Sequence, residues 1–466
     1  MKLYNTLTRQ IDDIKPLRAP EVSIYTCGPT VYDYPHIGNW FTFVRYDLLV
    51  RVLRASGLTP KWVMNITDVG HLVSDADEGE DKLEKGAKRE GKTAWDIANF
   101  YTDYFVRALE QLNFTQPDYL PRATEHIREQ IDLVKRLEEK GFTYTIDDGV
   151  YYDTSKFEHY ANFAKLDLDD QQAGARVAVN QQKRNQSDFA LWKFSPKDHQ
   201  RDMEWDSPWG KGFPGWHLEC SAMAFKYLGE TLDIHSGGID HIPVHHTNEI
   251  AQSEAASGKP FAHYWMHANH VLVEGEKIAK SLDNGITLEQ VEAKGYDLET
   301  LRLYILESHY RTQSQFSWEG LAAAKSRLTS YQNMAAQVWQ PNKTSNVEAQ
   351  IINQVQAEIK TALENDLNTP AALERLSFLD DRVNASGIAP DAVSAMQAFL
   401  QWVDDALGLR LSQVADISDE QKQILSAREA ARKEQDWAEA DKLRDKLAEL
   451  GIGVRDTAWG QVWIRL

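Results

Sequence analysis

The chain predicts an α/β protein: a Rossmann-type doubly wound parallel sheet split by an insertion, followed by an α-helical bundle and a small C-terminal α/β module. Three observations carry that prediction. A strand, a long helix and a second strand follow one another between residues 22 and 66. A strand–helix–strand pattern returns between about residues 216 and 273. From about Ser317 onward, amphipathic helices replace it.

Val22-Ser23-Ile24-Tyr25-Thr26 reads as a short buried strand ending at Cys27-Gly28-Pro29. A helix is expected from about Gly38 to Ser56, where Val44, Leu48 and Val52 recur every four residues and Gly57 supplies the stop. Trp62-Val63-Met64-Asn65-Ile66 is the next strand and completes one βαβ unit. From Asp118 to Asp206 the sequence is more polar and includes the acidic, glutamine-rich Asp167-Leu168-Asp169-Asp170-Gln171-Gln172; it reads as an insertion. The sheet resumes with a helix after Trp216, the strand Leu232-Asp233-Ile234-His235, a helix from about Val244 to Ser257 and a strand region from His263 to Val273. In the bundle one helix starts at Thr369-Pro370, a capping hydroxyl and then proline at the first helical position. The tail predicts helices at Glu420–Glu434 and Trp437–Leu450, then a hairpin of Val454-Arg455-Asp456 and Gln461-Val462-Trp463-Ile464. The expected divisions are 1–117 and 207–265 for the two sheet halves, 118–206 for the insertion, 266–316 for a connecting region, 317–415 for the bundle and 416–466 for the terminal module.

A chain of 466 residues has room for two to four domains. Its 42% hydrophobic and 26% charged content is ordinary for a globular protein. Met1-Lys2-Leu3-Tyr4-Asn5 leads into polar sequence, so no signal peptide is expected, and no apolar run approaches membrane-spanning length. Two cysteines far apart argue against a disulfide framework and suit a reducing cytosol. The net charge of −19 weighs against a nucleic-acid partner, because phosphate neutralisation needs Lys and Arg. Composition alone therefore favours a metabolic enzyme. A large protein gripping a folded RNA needs only a local basic track, however.

Three constellations carry chemistry. His36 and Asn39 open the first helix, beside its orphan N–H groups, where partial positive charge suits a triphosphate. The competing reading is a capping Asn with an incidental His. Lys277 and Lys280 sit in a small loop, Lys277-Ile278-Ala279-Lys280-Ser281, and could neutralise charge on a departing pyrophosphate; a merely solvated loop is the alternative. His245 and Glu249, at i and i+4 on one helix face, join Cys27 and Cys220 in a legitimate four-coordinate zinc set. The spacing is not a recognised zinc signature, so on spacing alone two buried free cysteines with a helix His and a surface Glu rank first.

His36-Ile37-Gly38-Asn39 and Lys277-Ile278-Ala279-Lys280-Ser281 resemble the HIGH and KMSKS signatures of class I aminoacyl-tRNA synthetases. The block from Cys27-Gly28-Pro29-Thr30-Val31-Tyr32-Asp33 to Gly38 is similar to the opening motif of the cysteinyl-tRNA synthetases. So are Gly215-Trp216-His217-Leu218-Glu219-Cys220-Ser221-Ala222-Met223, Asp233-Ile234-His235-Ser236-Gly237-Gly238-Ile239-Asp240 and His245-His246-Thr247-Asn248-Glu249. Asp366-Leu367-Asn368-Thr369-Pro370 and Asp436-Trp437-Ala438-Glu439-Ala440-Asp441 extend the match to the whole chain.

The resemblance implies a cysteine–tRNA ligase that activates L-cysteine with ATP and transfers it to the 3′ end of tRNA(Cys). It implies one Zn2+ on Cys27, Cys220, His245 and Glu249, with Mg2+ accompanying ATP. Catalysis would rest on His36, Asn39, Lys277 and Lys280; ATP would meet His36, Asn39, Gly237, Gly238, Asp240 and Lys280; cysteine would meet Thr67, Trp216, His235 and Asp240. Region 266–316 becomes a stem-contact region and the tail an anticodon reader, with Arg410, Arg432, Lys433, Arg444, Arg455 and Arg465 for phosphates and Trp437, Trp459 and Trp463 for bases. A cytoplasmic monomer with no membrane partner is expected. Asn39, Ile278, Ala279 and Phe213 depart from the family pattern, and Phe213 removes a charge contact. The rivals are a related ligase joining cysteine to an amino sugar and a non-catalytic RNA-binding paralogue.

Overall fold

The computed structural model describes residues 1–69, 83–84, 86–87, 91–166, 181–198, 200–278, 284–342 and 345–466. Lys280, Ala279, Ser281 and the glutamine-rich stretch from Asp167 lie outside the described residues. The chain divides into two compact units, Met1–Gln290 with Tyr310–Gln315, and Val291–His309 with Phe316–Leu466.

The first unit is built on a parallel sheet whose strands lie in the order Ala262–Ala268, Leu232–Gly238, Glu21–Thr26, Thr59–Met64. Both faces are covered, so these strands read as near-continuous buried runs; all seven residues of Leu232–Gly238 are buried. Helix Ile37–Ala55 crosses from the first strand to its neighbour and buries Trp40, Val44, Leu48 and Val52 on its sheet-facing side. The chain then moves to the other side of Glu21–Thr26 when it returns as Leu232–Gly238. This reversal of strand order opens a crevice at the carboxyl ends of the two central strands, where doubly wound sheets hold ligands. Cys27 and Gly238 stand at that edge, and the Cys27 N–H donates to the Ser236 carbonyl of the neighbouring strand (3.1 Å).

A hairpin of Lys2–Asn5 and Gln10–Asp13 precedes the first strand, in a stretch with no predicted element. The insertion carries helix Ile127–Glu139 and an antiparallel sheet of Thr143–Ile146, Gly149–Tyr152, Phe189–Phe194 and Gly212–Pro214. That sheet runs past Asp206, because Phe213 pairs with Lys193. At the near end, Tyr119 and Arg122 bridge to Val63 and Ile66 at the edge of the parallel sheet. The insertion is therefore stitched into the parallel sheet at its near end, while its own sheet takes up Gly212–Pro214 at the far end.

In the second unit, helices Trp318–Ala335, Ala349–Glu364, Thr369–Ser386 and Val393–Leu407 form the bundle. The cap of the third helix is Asn368, whose side chain accepts from the Ala371 N–H (3.2 Å), and not Thr369. Asn368 reaches the orphan donor, leaving Thr369 and Pro370 inside the first turn. Helices Asp419–Lys433 and Trp437–Glu449 and the hairpin Ile452–Thr457/Gly460–Arg465 follow. They are not detached: Trp463, Ile452 and Leu447 pack with Ala336, and Trp463 exchanges two bonds with Gln340. Trp459 and Trp463 are buried, which withdraws them as stacking faces, whereas Trp437 is 56% exposed.

Candidate active site and metal centre

The crevice at the sheet edge is a cavity of about 700 Å³. Its floor begins where the first strand ends. Gly28 lies so close to the next strand's extension that an added Cβ would stand 1.7 Å from the Asn65 carbonyl oxygen, so only glycine fits. The Gly28 N–H donates to Asn65 Oδ1 (2.8 Å), and Asn65 in turn donates to the Thr67 hydroxyl (2.9 Å). This network fixes Thr67 on the cavity wall beside Cys27.

Cys220 comes from helix Trp216–Leu228, and His245 from a π-helical turn, Ile242–His246, that leads into helix Thr247–Ser257. Such widened turns recur at functional sites because they re-aim side chains. Here the turn buries His245 and His246 side by side and brings His245 Nε2 within 2.6 Å of Glu249 Oε1. Cys27, Cys220, His245 and Glu249 each offer one ligand atom, and all four lie within 4.8 Å of one another. Two sulfurs, an imidazole and a carboxylate suit a borderline-soft divalent ion in four-coordinate geometry.

A second set, Cys27, His235, His246 and Glu249, meets the same distance criterion. The cavity separates the two. Cys27, Cys220 and His245 line it, whereas His235 and His246 are fully buried behind them. His235 Nε2 bonds the other oxygen of Glu249 (2.5 Å), and His246 Nε2 lies 3.4 Å from the Cys27 sulfur. Behind them, His246 Nδ1 meets His267 (2.7 Å), and His267 meets the Thr6 hydroxyl (2.7 Å). His245 Nδ1 meets His217 (2.9 Å). The cavity-facing set therefore has behind it the partners that would orient metal-holding side chains, and His235 and His246 are those partners.

The electrostatics agree. Burial pushes the Cys27 thiol up, but the Cys220 side chain and the imidazoles of His246, His241 and His245 hold it well below its usual value. Cys220, bonded to Cys27 and buried beside Glu249, is driven well above it, so the two sulfurs share a proton. Burial disfavours a charged His245, yet Glu249 raises it to about 10. Burial likewise opposes ionisation of Glu249, but His235 and His245 hold it far below the usual carboxylate range. Burial lowers His246 to about 4, which leaves it neutral.

The start of helix Ile37–Ala55 lines the same cavity. His36 and Asn39 form a reciprocal cap: Asn39 Oδ1 accepts from the His36 N–H (3.0 Å), and His36 Nδ1 accepts from the Asn39 N–H (3.4 Å). Asn39 thus has a structural role that histidine would fill less well, since a carboxamide oxygen is a fixed acceptor. Ile278, within the lysine loop, approaches Gly38, and Gly285, beyond the loop, approaches His36; both line the cavity.

Of the residues expected in the site, Cys27, Cys220, His245, His36, Asn39, Thr67, Trp216, Gly238 and Asp240 line this one cavity. Trp216 packs at a tilt against His245, with ring centroids 4.5 Å apart and 39° between their planes. Glu249 is buried beneath the liners. Gly237 lies behind the wall, where an added Cβ would be 2.4 Å from His246. His235, expected against cysteine, faces Glu249 and the Trp265 ring instead. Lys277 is exposed and does not line the cavity. Phe213 is buried with the Arg201 guanidinium 3.7 Å from its ring, so a cation does stand there. His217, His241, His246 and His267 were not singled out from sequence; the doubled histidine at 245–246 was the available signal.

A model of the class I (C) tRNA synthetase catalytic domain matches residues 13–326. A model of the cysteinyl-tRNA ligase anticodon binding domain matches residues 414–463. Cysteine–tRNA ligase 1 of Burkholderia lata is 46% identical over 466 residues, covering 99% of this chain and 96% of that one. The chain belongs to the cysteinyl-tRNA synthetase family. The cysteine–tRNA ligase of Treponema denticola is 40% identical across the full length of both chains, and that of Thermococcus gammatolerans is 38% identical over 492 residues. The methionyl-tRNA synthetase of Mycobacterium tuberculosis bound by methionyl-adenylate superposes with a TM-score of 0.60, covering 86% of this chain and 93% of that chain. At 14% identity this bears on the fold alone, and it is the class I fold. Within this synthetase family chain, the anticodon-domain match falls on the two helices and hairpin that pack against the bundle.

Proposed function

We propose that this chain activates L-cysteine with ATP, forming cysteinyl-adenylate and pyrophosphate, and transfers the cysteinyl group to the terminal ribose of tRNA(Cys). The observation that carries the reading is a single cavity lined both by two thiols and an imidazole and by a helix N-terminus. Cysteine's two ends match it. Zinc on Cys27, Cys220, His245 and Glu249 would supply a Lewis acid that takes the substrate thiol as thiolate, which serine's hydroxyl does poorly. Thr67 and Trp216 wall that end, and Asp240 offers a carboxylate to the substrate's ammonium group.

At the other end the substrate carboxylate attacks the α-phosphorus of ATP as pyrophosphate leaves. His36 and Asn39, at the positive end of helix Ile37–Ala55, face the phosphates, and Gly238 allows backbone approach. Lys277 and Lys280 add positive charge as pyrophosphate leaves, and Mg2+ travels with ATP. The contribution is positioning and charge stabilisation, with no covalent nucleophile. Residues 118–206 then act as a connective insertion, 266–316 as a stem contact and 317–466 as tRNA-binding regions of a cytoplasmic monomer. No helix among the described residues is long and apolar enough to cross a membrane.

Cysteine-dependent ATP–pyrophosphate exchange, followed by charging of tRNA(Cys), tests this. Exchange with transfer to an amino sugar in place of tRNA would favour the related ligase. Absence of exchange in zinc-loaded protein would leave the non-catalytic paralogue.

A further inference from the structure

We propose that a shallow hollow on the second unit is a contact site for the phosphodiester backbone of RNA, which rests on the tRNA reading above and places one of its grips. The hollow has a volume of about 580 Å³ and is lined by Lys294, Gly295, Tyr296, Ala322, Lys325, Ser326 and Thr329. Two lysines and no acid line it, in a chain whose net charge is −19.

The four helix residues follow from spacing. Ala322, Lys325, Ser326 and Thr329 recur every three or four positions on helix Trp318–Ala335 and so share one face. Ser326 and Thr329 turn their hydroxyls inward, to the carbonyls of Ala322 (3.2 Å) and Lys325 (3.0 Å), which keeps that face low and open.

The lysines are held, unlike ordinary surface lysines. Lys294 Nζ sits 5.4 Å from the Trp318 ring centroid and Lys325 Nζ 5.6 Å from that of Tyr296. Trp318 and Tyr296 stack on one another at 6.3 Å with 22° between their planes, giving a layered run of cation, ring, ring and cation. Lys325 also donates to the Gly295 carbonyl (3.0 Å), which spends one of its three donors. Two ammonium groups fixed at separate points around one hollow match a repeating, strongly hydrated anion. Phosphates of a polynucleotide are such an anion, and each one neutralised releases counterions.

The test compares the Lys294→Gln/Lys325→Gln double variant with a Lys294→Arg/Lys325→Arg counterpart, each checked for an unchanged melting temperature. The KM for tRNA(Cys) is measured from about 50 to about 200 mM salt, alongside cysteine-dependent pyrophosphate exchange. The Gln variant should raise the tRNA KM roughly tenfold and flatten its salt dependence by about two counterions, with exchange unchanged. The Arg variant should behave as wild type, because the charge is kept. A Gln variant with wild-type KM and salt slope overturns the hollow while leaving the synthetase reading intact. Wild-type protein that performs exchange but does not bind or charge tRNA overturns both.

Discussion

Two single substitutions decide which set of side chains holds the metal. Cys220 belongs only to the set that faces the cavity, and His246 only to the buried one. Cys220→Ser keeps the volume and removes a thiolate. Structural zinc sites bind with about 10–16 kcal/mol spread over four ligands, so one ligand is worth about 2.5–4 kcal/mol, or roughly 70- to 1000-fold in affinity. His246→Ala instead removes a side chain 3.4 Å from the Cys27 sulfur and breaks its 2.7 Å bond to His267. Loss of such an outer partner weakens binding by about 10- to 100-fold. Competition with a zinc-sensitive chelator at fixed pH measures both constants. Cys220→Ser should be the weaker binder by about one decade. If His246→Ala is the metal-free protein and Cys220→Ser holds zinc normally, the site is Cys27, His235, His246 and Glu249, and the cavity-facing assignment is refuted.

Zinc binding should release about two protons per ion near neutral pH, because the Cys220 thiol and the His245 imidazolium must both ionise while Cys27 and Glu249 already have. Affinity should therefore rise with pH, and calorimetry in buffers of different ionisation enthalpy counts the protons; a count near zero or four contradicts the charge pattern. Gly237→Ala places a Cβ 2.4 Å from the fully buried His246 and 2.7 Å from His241, and should cost about 1–3 kcal/mol of stability in thermal melts. Lys280→Ala should depress adenylate formation strongly and leave cysteine affinity nearly unchanged, because its charge acts in the transition state; an equal loss in cysteine binding would make the loop a structural element.

The sheet was legible because a doubly buried parallel strand has a distinctive composition, as in Val22–Thr26 and Leu232–His235. The helix starting near Gly38 was equally plain, since its apolar stripe is long and Gly57 ends it. The insertion's limits were not, because Gly212–Pro214 joins its sheet through three backbone pairings that no local pattern announces. In the site, the ligand set followed from motif resemblance, and the fold brings it together across distant segments. His235 was misplaced for a physical reason. On a strand buried on both faces, the side of the sheet that a residue meets depends on the layer beyond, and His235 turns to Glu249 and Trp265. The His246–His267–Thr6 chain was invisible because it joins residues far apart in sequence, without periodicity.

The central claim is that the substrate's thiol is recognised at the Cys27–Cys220–His245–Glu249 centre. X-ray absorption at the zinc edge counts sulfur neighbours directly. The zinc-loaded protein should show two sulfurs and two nitrogen or oxygen atoms, as its four ligands require. Saturating L-cysteine should raise the sulfur count to three, and L-serine should leave it at two. A count that stays at two with cysteine bound would contradict the account.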